Sequence, residues 1–228
     1  MSKKNKENVK EEAIALDETL TKSEAFIEKN LKTLLIALAA IAVIVIGFFL
    51  WNNHKKGVEK EAQNAIYKSQ ALFAQQQFES ALNGDGQGNI GFLKVIDQYS
   101  GTKTANLAKL YAGLCYSQIG KTDDAIKMIE SFDTKDDQMV SPAALGALGN
   151  FYIEKGQNEK GIETLLSAAK KANNNTLSPL YLMQAAQVYE SLNQNDKAVE
   201  LYKQIKDNYK NSQLYQDIDK YIERATTK

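Results

Sequence analysis

Histidine and cysteine are nearly missing from this sequence: His54 and Cys115 stand alone among 228 residues. With one cysteine, neither an internal disulfide framework nor a cysteine-only metal site can form. With one histidine, paired-histidine metal ligation is excluded and little remains for imidazole acid–base chemistry. Arginine is as scarce. Of 28 basic side chains, only Arg224 is an arginine and the rest are lysines, whereas bidentate recognition of phosphate or guanine usually falls to arginine. Neither sign of charge is in excess, since 28 acidic residues balance the 28 basic ones. That balance argues against a nucleic-acid binder working by broad counterion release. These absences disfavour an enzyme, and no catalytic set, cofactor, metal or small-molecule substrate is expected.

What is present falls into three parts. Residues 1–32 form a charged N-terminal tail with 7 lysines and 7 acidic residues. Its polar beginning suggests partial disorder. From Glu11 onward Ile14, Leu20, Ala25, Phe26 and Ile27 could line one side of a short amphipathic helix; the alternative is a solvated tail that turns helical only near a membrane.

Residues 33–53 are expected to be a transmembrane helix. The stretch from Thr33 to Trp51 carries no charge, and 19 residues at about 1.5 Å each give roughly 28 Å, close to the hydrocarbon thickness of a bilayer. Trp51 is the interfacial aromatic expected at headgroup depth, and Lys32 before, with His54, Lys55 and Lys56 after, mark where water resumes. A cleaved signal peptide would have a shorter charged leader and a small-residue cleavage site, and no cysteine stands at the exit for lipid attachment. A core helix this apolar would need a larger domain to cover it. Lys22, Lys29 and Lys32 precede the span and Lys55, Lys56 and Lys60 follow it, so the positive-inside rule gives no orientation.

Residues 58–228 read as helix throughout. Apolar residues recur at spacings of three and four, as in Ala108, Tyr111, Ala112, Cys115 and Tyr116, with no sustained period of two. Self-similarity appears at about 36 residues. A small residue (Gly113, Gly149, Ala186) precedes a tyrosine (Tyr116, Tyr152, Tyr189) by three. Four after the tyrosine comes a turn residue (Gly120, Gly156, Asn193), then another small residue (Ala125, Gly161, Ala198), then a large apolar one (Ile129, Leu165, Tyr202). Small residues let two antiparallel helices approach closely, and glycine or asparagine tolerates the left-handed position that ends a helix. Ser141-Pro142 and Ser178-Pro179 supply a serine N-cap and a proline at the first helical position.

This pattern resembles the tetratricopeptide repeat, a helical hairpin of about 34 residues. With the N-terminal transmembrane helix already expected, it implies an all-α fold in which a tetratricopeptide-like hairpin solenoid covers 58–228. The expected units are 105–138, 142–174 and 179–211, after a degenerate first unit over 59–100. In that unit one helix would run from Glu59 to Phe78 and the next from Asn89 to Tyr99, joined by an enlarged turn at 83–89. Residues 213–224, with Leu214, Tyr215, Ile218, Tyr221 and Ile222, suit a capping helix.

The whole arrangement is similar to the YfgM-like ancillary subunits of the bacterial Sec translocon. The residues that carry this are Glu24-Ala-Phe-Ile-Glu-Lys-Asn30 before the anchor, and Gly91-Phe-Leu-Lys-Val-Ile-Asp-Gln-Tyr-Ser-Gly-Thr102 leading into Asn106-Leu-Ala-Lys-Leu-Tyr-Ala-Gly113, which resemble Bacteroidetes-type members. The resemblance implies a cytoplasmic N-terminus and a periplasmic repeat domain on the inner membrane. It implies protein partners among translocon subunits, periplasmic chaperones or nascent secreted chains, with the bilayer engaged through the anchor.

Repeat solenoids bind on the face lined by the first helix of each unit. Counted from the tyrosines, that partner-binding groove should carry Leu110, Leu114, Gln118, Asn150, Ile153, Glu154, Met183, Gln187 and Glu190. It lacks the basic cluster of a clamp for acidic C-termini and suits an extended or helical segment instead; alternatively, the apolar members only pack between hairpins. The loop with Asn83, Asp85, Gln87 and Gly88 superficially matches a calcium loop, but Lys94 stands where a bidentate glutamate is required. Asp133, Asp136 and Asp137 read as a solvated inter-repeat loop, and Cys115 as a buried thiol. A cytoplasm-facing scaffold for envelope or division complexes is the alternative reading. A carboxylate-only enzyme such as a glycosidase would have only Glu154 and Glu190 in the groove.

Overall fold

The computed structural model describes residues 3–227, without the side chains of 3–20, 22, 23, 25 and 28. Ile14, Leu20 and Ala25, expected on the apolar side of the tail, therefore lie outside the described side chains. Among the described residues there is no strand. Residues Met1–Lys56 and Gly57–Lys228 form two compact units, each described by itself. Helix α1 (Lys3–Ala74) supplies the described part of the first and the start of the second.

In the first unit the helix begins at Lys3, within a tail whose polarity suggested partial disorder. Lysine and glutamate dominate it, and both are strong helix formers. Further along, Leu34, Ile36, Leu38, Ile44, Phe48 and Phe49 are all exposed. The helix is long and apolar enough to cross a membrane, and among the described residues none buries its apolar stretch.

The second unit is a run of helical hairpins. After α1 come α2 (Phe78–Asn83), α3 (Phe92–Gln98), α4 (Lys103–Gln118) and α5 (Thr122–Glu130). Then follow α6 (Val140–Glu154), α7 (Asn158–Ala172), α8 (Leu177–Ser191), α9 (Asn195–Asn208), a 3-10 turn (Gln213–Gln216) and α10 (Ile218–Thr226). Helices α4, α6 and α8 are the first helices of their hairpins, and α5, α7 and α9 the second.

One turn geometry closes four hairpins. Gly120, Gly156 and Asn193 have φ of 76°, 74° and 56°, and Gln76 has φ of 60°. In each, the next residue donates its N–H to the carbonyl five positions back: Lys121 to Tyr116 and Gln157 to Tyr152 at 2.8 Å, Gln194 to Tyr189 and Gln77 to Leu72 at 2.9 Å. This is the Schellman closure, which satisfies carbonyls that a helix end otherwise leaves unpaired. A left-handed residue with a Cβ costs about 1–2 kcal/mol. Since nothing lies within 4 Å of a Cβ built on Gly120, Gly120→Ala should lose about 1 kcal/mol through backbone strain alone. Gln76→Gly should gain a few tenths by the converse. Urea midpoints of the two variants check both signs.

Gln76 also corrects the expected first unit. Its hairpin turn is at Gln75–Gln77, not at 83–89, and α1 ends at Ala74 rather than Phe78. Ser69, Leu72, Gln76 and Ala81 occupy the register of Gly113, Tyr116, Gly120 and Ala125. The glycine-rich segment instead interrupts the second helix, which stops at Asn83 and resumes at Phe92. Asn89 holds the break. Its buried side chain accepts from the Ser69 hydroxyl at 2.6 Å and donates to the Ser80 carbonyl at 2.9 Å. Asp85 accepts from the N–H groups of Gln87 and Asn89 at 2.8 and 3.0 Å, so its carboxylate serves the turn itself.

The starts of α6 and α8 differ from expectation in a repeated way. Ser141 and Ser178 are second residues of their helices, not N-caps. The capping acceptors stand one turn earlier. Asp137 accepts from the N–H groups of Met139, Val140 and Ser141, and Asn174 from those of Thr176 and Leu177. Both serine hydroxyls are buried; Ser178 donates to the Ala169 carbonyl at 2.7 Å, and Ser141 donates to Asp137. Asp137 is therefore a cap and not merely part of a solvated loop. Burial pushes its carboxyl up, but the Ser141 hydroxyl and the backbone N–H donors outweigh burial and hold it below the usual value. A depressed carboxyl stabilises the fold above its unfolded pKa of about 3.9, and that contribution fades as pH falls through the folded value. Asp137→Asn should therefore flatten the loss of stability below about pH 4, as thermal midpoints across that range would show.

The core lies in three hydrophobic clusters placed in series. The first joins Ile66, Leu82, Phe92, Val95, Ala108 and Cys115. The second joins Leu110, Ile129, Phe132, Leu148, Phe151 and Tyr152. The third runs from Ile162 and Leu165 through Met183 and Tyr202 to Ile218 and Ala225.

Candidate functional site

The inner face is built by α4, α6 and α8, because the small residues draw each partner helix against the opposite side. At the α6–α7 crossing the two backbones approach closely. A Cβ on Gly149 would meet the Gly161 carbonyl oxygen at 3.0 Å, and one on Gly161 would meet that of Gly149 at 2.9 Å. A Cβ on Gly113 would strike Ile129, which with Leu165 and Tyr202 is buried behind the small positions. Ala125, Ala186 and Ala198 are fully buried. Of the signature tyrosines, Tyr152 is buried and donates its hydroxyl to Glu130 of the preceding hairpin at 2.5 Å, whereas Tyr116 and Tyr189 are partly buried.

The nine groove residues separate into three groups. Leu110 and Met183 are core members and are not available at the surface, while Leu114 and Ile153 are half-buried against the clusters. Here the packing alternative describes the apolar positions better than the groove expectation does. Gln118, Asn150, Glu154 and Gln187 are exposed. Asn150 donates to Gln184 across hairpins at 3.5 Å, and Glu154 accepts from the Thr122 hydroxyl at 2.9 Å. Glu190 is taken up internally. It accepts from the Tyr202 hydroxyl at 2.6 Å and from Arg224 at 2.5 and 3.2 Å. The sole arginine thus fastens α10 onto α8, and burial followed by the Glu190 contact pushes the Tyr202 phenol up.

Sequence reasoning missed an apolar rim and one inter-repeat contact. Val140 and Leu180, at the starts of α6 and α8, are 38% and 40% exposed, and Met139 beside them is 60% exposed. A partial signal was available, since Leu180 shares its register with Leu107 and Ala143, and Val140 shares its own with Leu177. Tyr181 lies on Gly146, where a Cβ would run into its ring. No tyrosine spacing reveals that contact.

Among the described residues no three His, Cys, Asp or Glu side chains converge as metal ligands. Cys115 is buried, and burial pushes its thiol up to about 12, away from thiolate reactivity. Glu154 and Glu190, the only groove carboxylates, are held by Thr122 and by Tyr202 with Arg224.

Comparison with known proteins agrees with this geometry. The tetratricopeptide repeat family model matches residues 181–212, the last full hairpin. No curated protein matches the chain. A crystal structure of a Podosopora anserina putative kinesin light chain with nearly identical TPR-like repeats is similar at a TM-score of 0.58 and 14% identity, covering 74% of this chain and 87% of that one. A point variant of that protein gives a TM-score of 0.57 at 14% identity, with 74% and 86% covered. A crystal structure of MamA protein is similar at 0.51 and 19% identity, covering 75% and 91%. These likenesses show the fold. The chain carries tetratricopeptide repeats in a helical solenoid, an architecture suited to binding other proteins.

Proposed function

We propose that this protein is a membrane-anchored protein–protein interaction module, an ancillary component of a translocon or periplasmic chaperone network. The observation that carries this is the pairing, in one chain, of an uncovered apolar helix with a repeat solenoid whose inner face holds exposed amides and an apolar rim but no catalytic set. Gln118, Asn150, Gln184 and Gln187 offer donors and acceptors to a peptide backbone, while Val140, Leu177 and Leu180 receive apolar side chains. Translocon subunits, periplasmic chaperones and nascent secreted chains are the partners this reading names. Anchoring raises the local concentration of the repeats at a membrane-bound partner, so micromolar contacts suffice.

Topology supplies the test. A C-terminal tag in intact spheroplasts should be digested by added protease, which places the repeats outside the inner membrane. Protection until lysis would favour the cytoplasm-facing scaffold for envelope or division complexes, which the balanced lysines around the span permit. Crosslinking in membranes should then recover translocon components, and their repeated absence would remove the translocon assignment.

A further inference from the structure

The end of the apolar stretch has a built feature that protein binding does not use. Phe48 and Trp51 lie with ring centroids 6.3 Å apart, and the Lys55 ammonium sits 3.9 Å from the centroid of the Trp51 ring. The indole face thus holds a cation one helical turn beyond the last apolar residue. Lys56 follows it, and no described carboxylate pairs with either lysine. The first carboxylate after them is Glu59, and it is already engaged. It accepts from the backbone N–H of Lys103 at 2.7 Å and from the Thr104 hydroxyl at 2.7 Å. The other end of the stretch differs, because Glu24 and Glu28 accompany Lys29 and Lys32 there.

We propose that Trp51, Lys55 and Lys56 form a headgroup site for anionic phospholipid. The proposal rests on the anchor reading. Trp51 then sits at headgroup depth, where its indole has an N–H to donate, and the two ammonium groups meet phosphodiester oxygens with three donors each. Charge complementarity selects the ligand: uncompensated lysines beside a bilayer attract anionic lipid, and zwitterionic lipid offers no net charge to offset them.

The chain's only tryptophan is at the site, so its fluorescence reports there alone. The full-length protein is reconstituted in phosphatidylcholine vesicles containing a minor, fixed fraction of phosphatidylglycerol. Brominated acyl chains are placed on one lipid or the other at the same fraction. Brominated phosphatidylglycerol should quench Trp51 with an apparent local enrichment of about threefold to fivefold. Combined Lys55→Gln and Lys56→Gln should abolish the enrichment, while Lys29→Gln with Lys32→Gln leaves it in place. Equal quenching by both brominated lipids would overturn the headgroup site yet keep the anchor. No quenching by either would overturn the anchor reading itself. Inorganic phosphate in the buffer should leave the difference intact; if it erases the difference, the lysines bind free phosphate and the lipid assignment fails.

Discussion

Phe92→Ala is expected to destabilise the repeat unit by about 4 kcal/mol. Phe92 is fully buried and opens α3 where the interrupted second helix resumes. Its ring stacks on Tyr111 with centroids 5.1 Å apart and planes within 11°, and Phe73 meets Tyr111 edge-on at 5.2 Å. Removing the ring leaves a void that local collapse cannot fill. Gly91, with φ of 80°, has backbone atoms of Asn83 and Gly84 crowding the place where its Cβ would be, and Asn89 pins the loop to Ser69 and Ser80. The entry to α3 therefore has little freedom to move inward. Urea unfolding of the full-length chain, followed by near-ultraviolet tyrosine dichroism, reads the repeats because every tyrosine lies there. A loss below about 1 kcal/mol would mean that the break in the second helix is loosely packed. Lys94→Ala, on the exposed side of α3, should leave the midpoint unchanged.

Gly161→Val should cost about 3 kcal/mol, at the upper end of overpacking penalties. Ile153, which the new Cβ would strike, could turn aside, but the Gly149 carbonyl oxygen at 2.9 Å is backbone and cannot. Relief requires α6 and α7 to separate, and that loosens Leu165 and Tyr152 together. Ala125→Gly is the informative comparison. It removes a methyl group at the matching place in the preceding hairpin and should cost about 1 kcal/mol, mostly as lost helix propensity. If Gly161→Val cost no more than that, the closeness of this crossing would not be needed for stability.

Much of the solenoid was legible in the sequence because the constraint that makes a hairpin is local. A small residue, a tyrosine and a left-handed turn at fixed spacing follow from two helices touching, and three units repeated them. The first unit departs from its expected form for an equally physical reason. Its turn uses Gln76, which carries no compositional mark of a left-handed position. The conspicuous glycines at 84, 86, 88 and 91 belong to an interruption that lengthens the spacing from Gln76 to Gly120 to 44 residues, against 36 and 37 for the later turns. The caps lie one turn earlier than serine before proline, a strong start signal, suggests: Asp137 and Asn174 serve N–H groups of an earlier turn, at 139–141 and 176–177. On the candidate face, register identified the right helices but not the exposure. Leu110 and Met183 pack inward because neighbouring hairpins cover them, and covering is a property of the stack rather than of any one unit.

The serial arrangement of the three clusters bears on how the chain comes to be folded. The first cluster and its satellites are complete once residues 65–128 are available, the second needs nothing beyond Tyr152, and the third closes with α10. No cluster waits for a distant later segment to return. Synthesis delivers about 5–20 residues per second, whereas helices and short loops form in microseconds or less. Each hairpin therefore has time to settle against the one before it while the next is still being made. The order of assembly is written into the order of emergence, and α10, fastened by Arg224, closes the edge of the third cluster, which stays open until that helix is made.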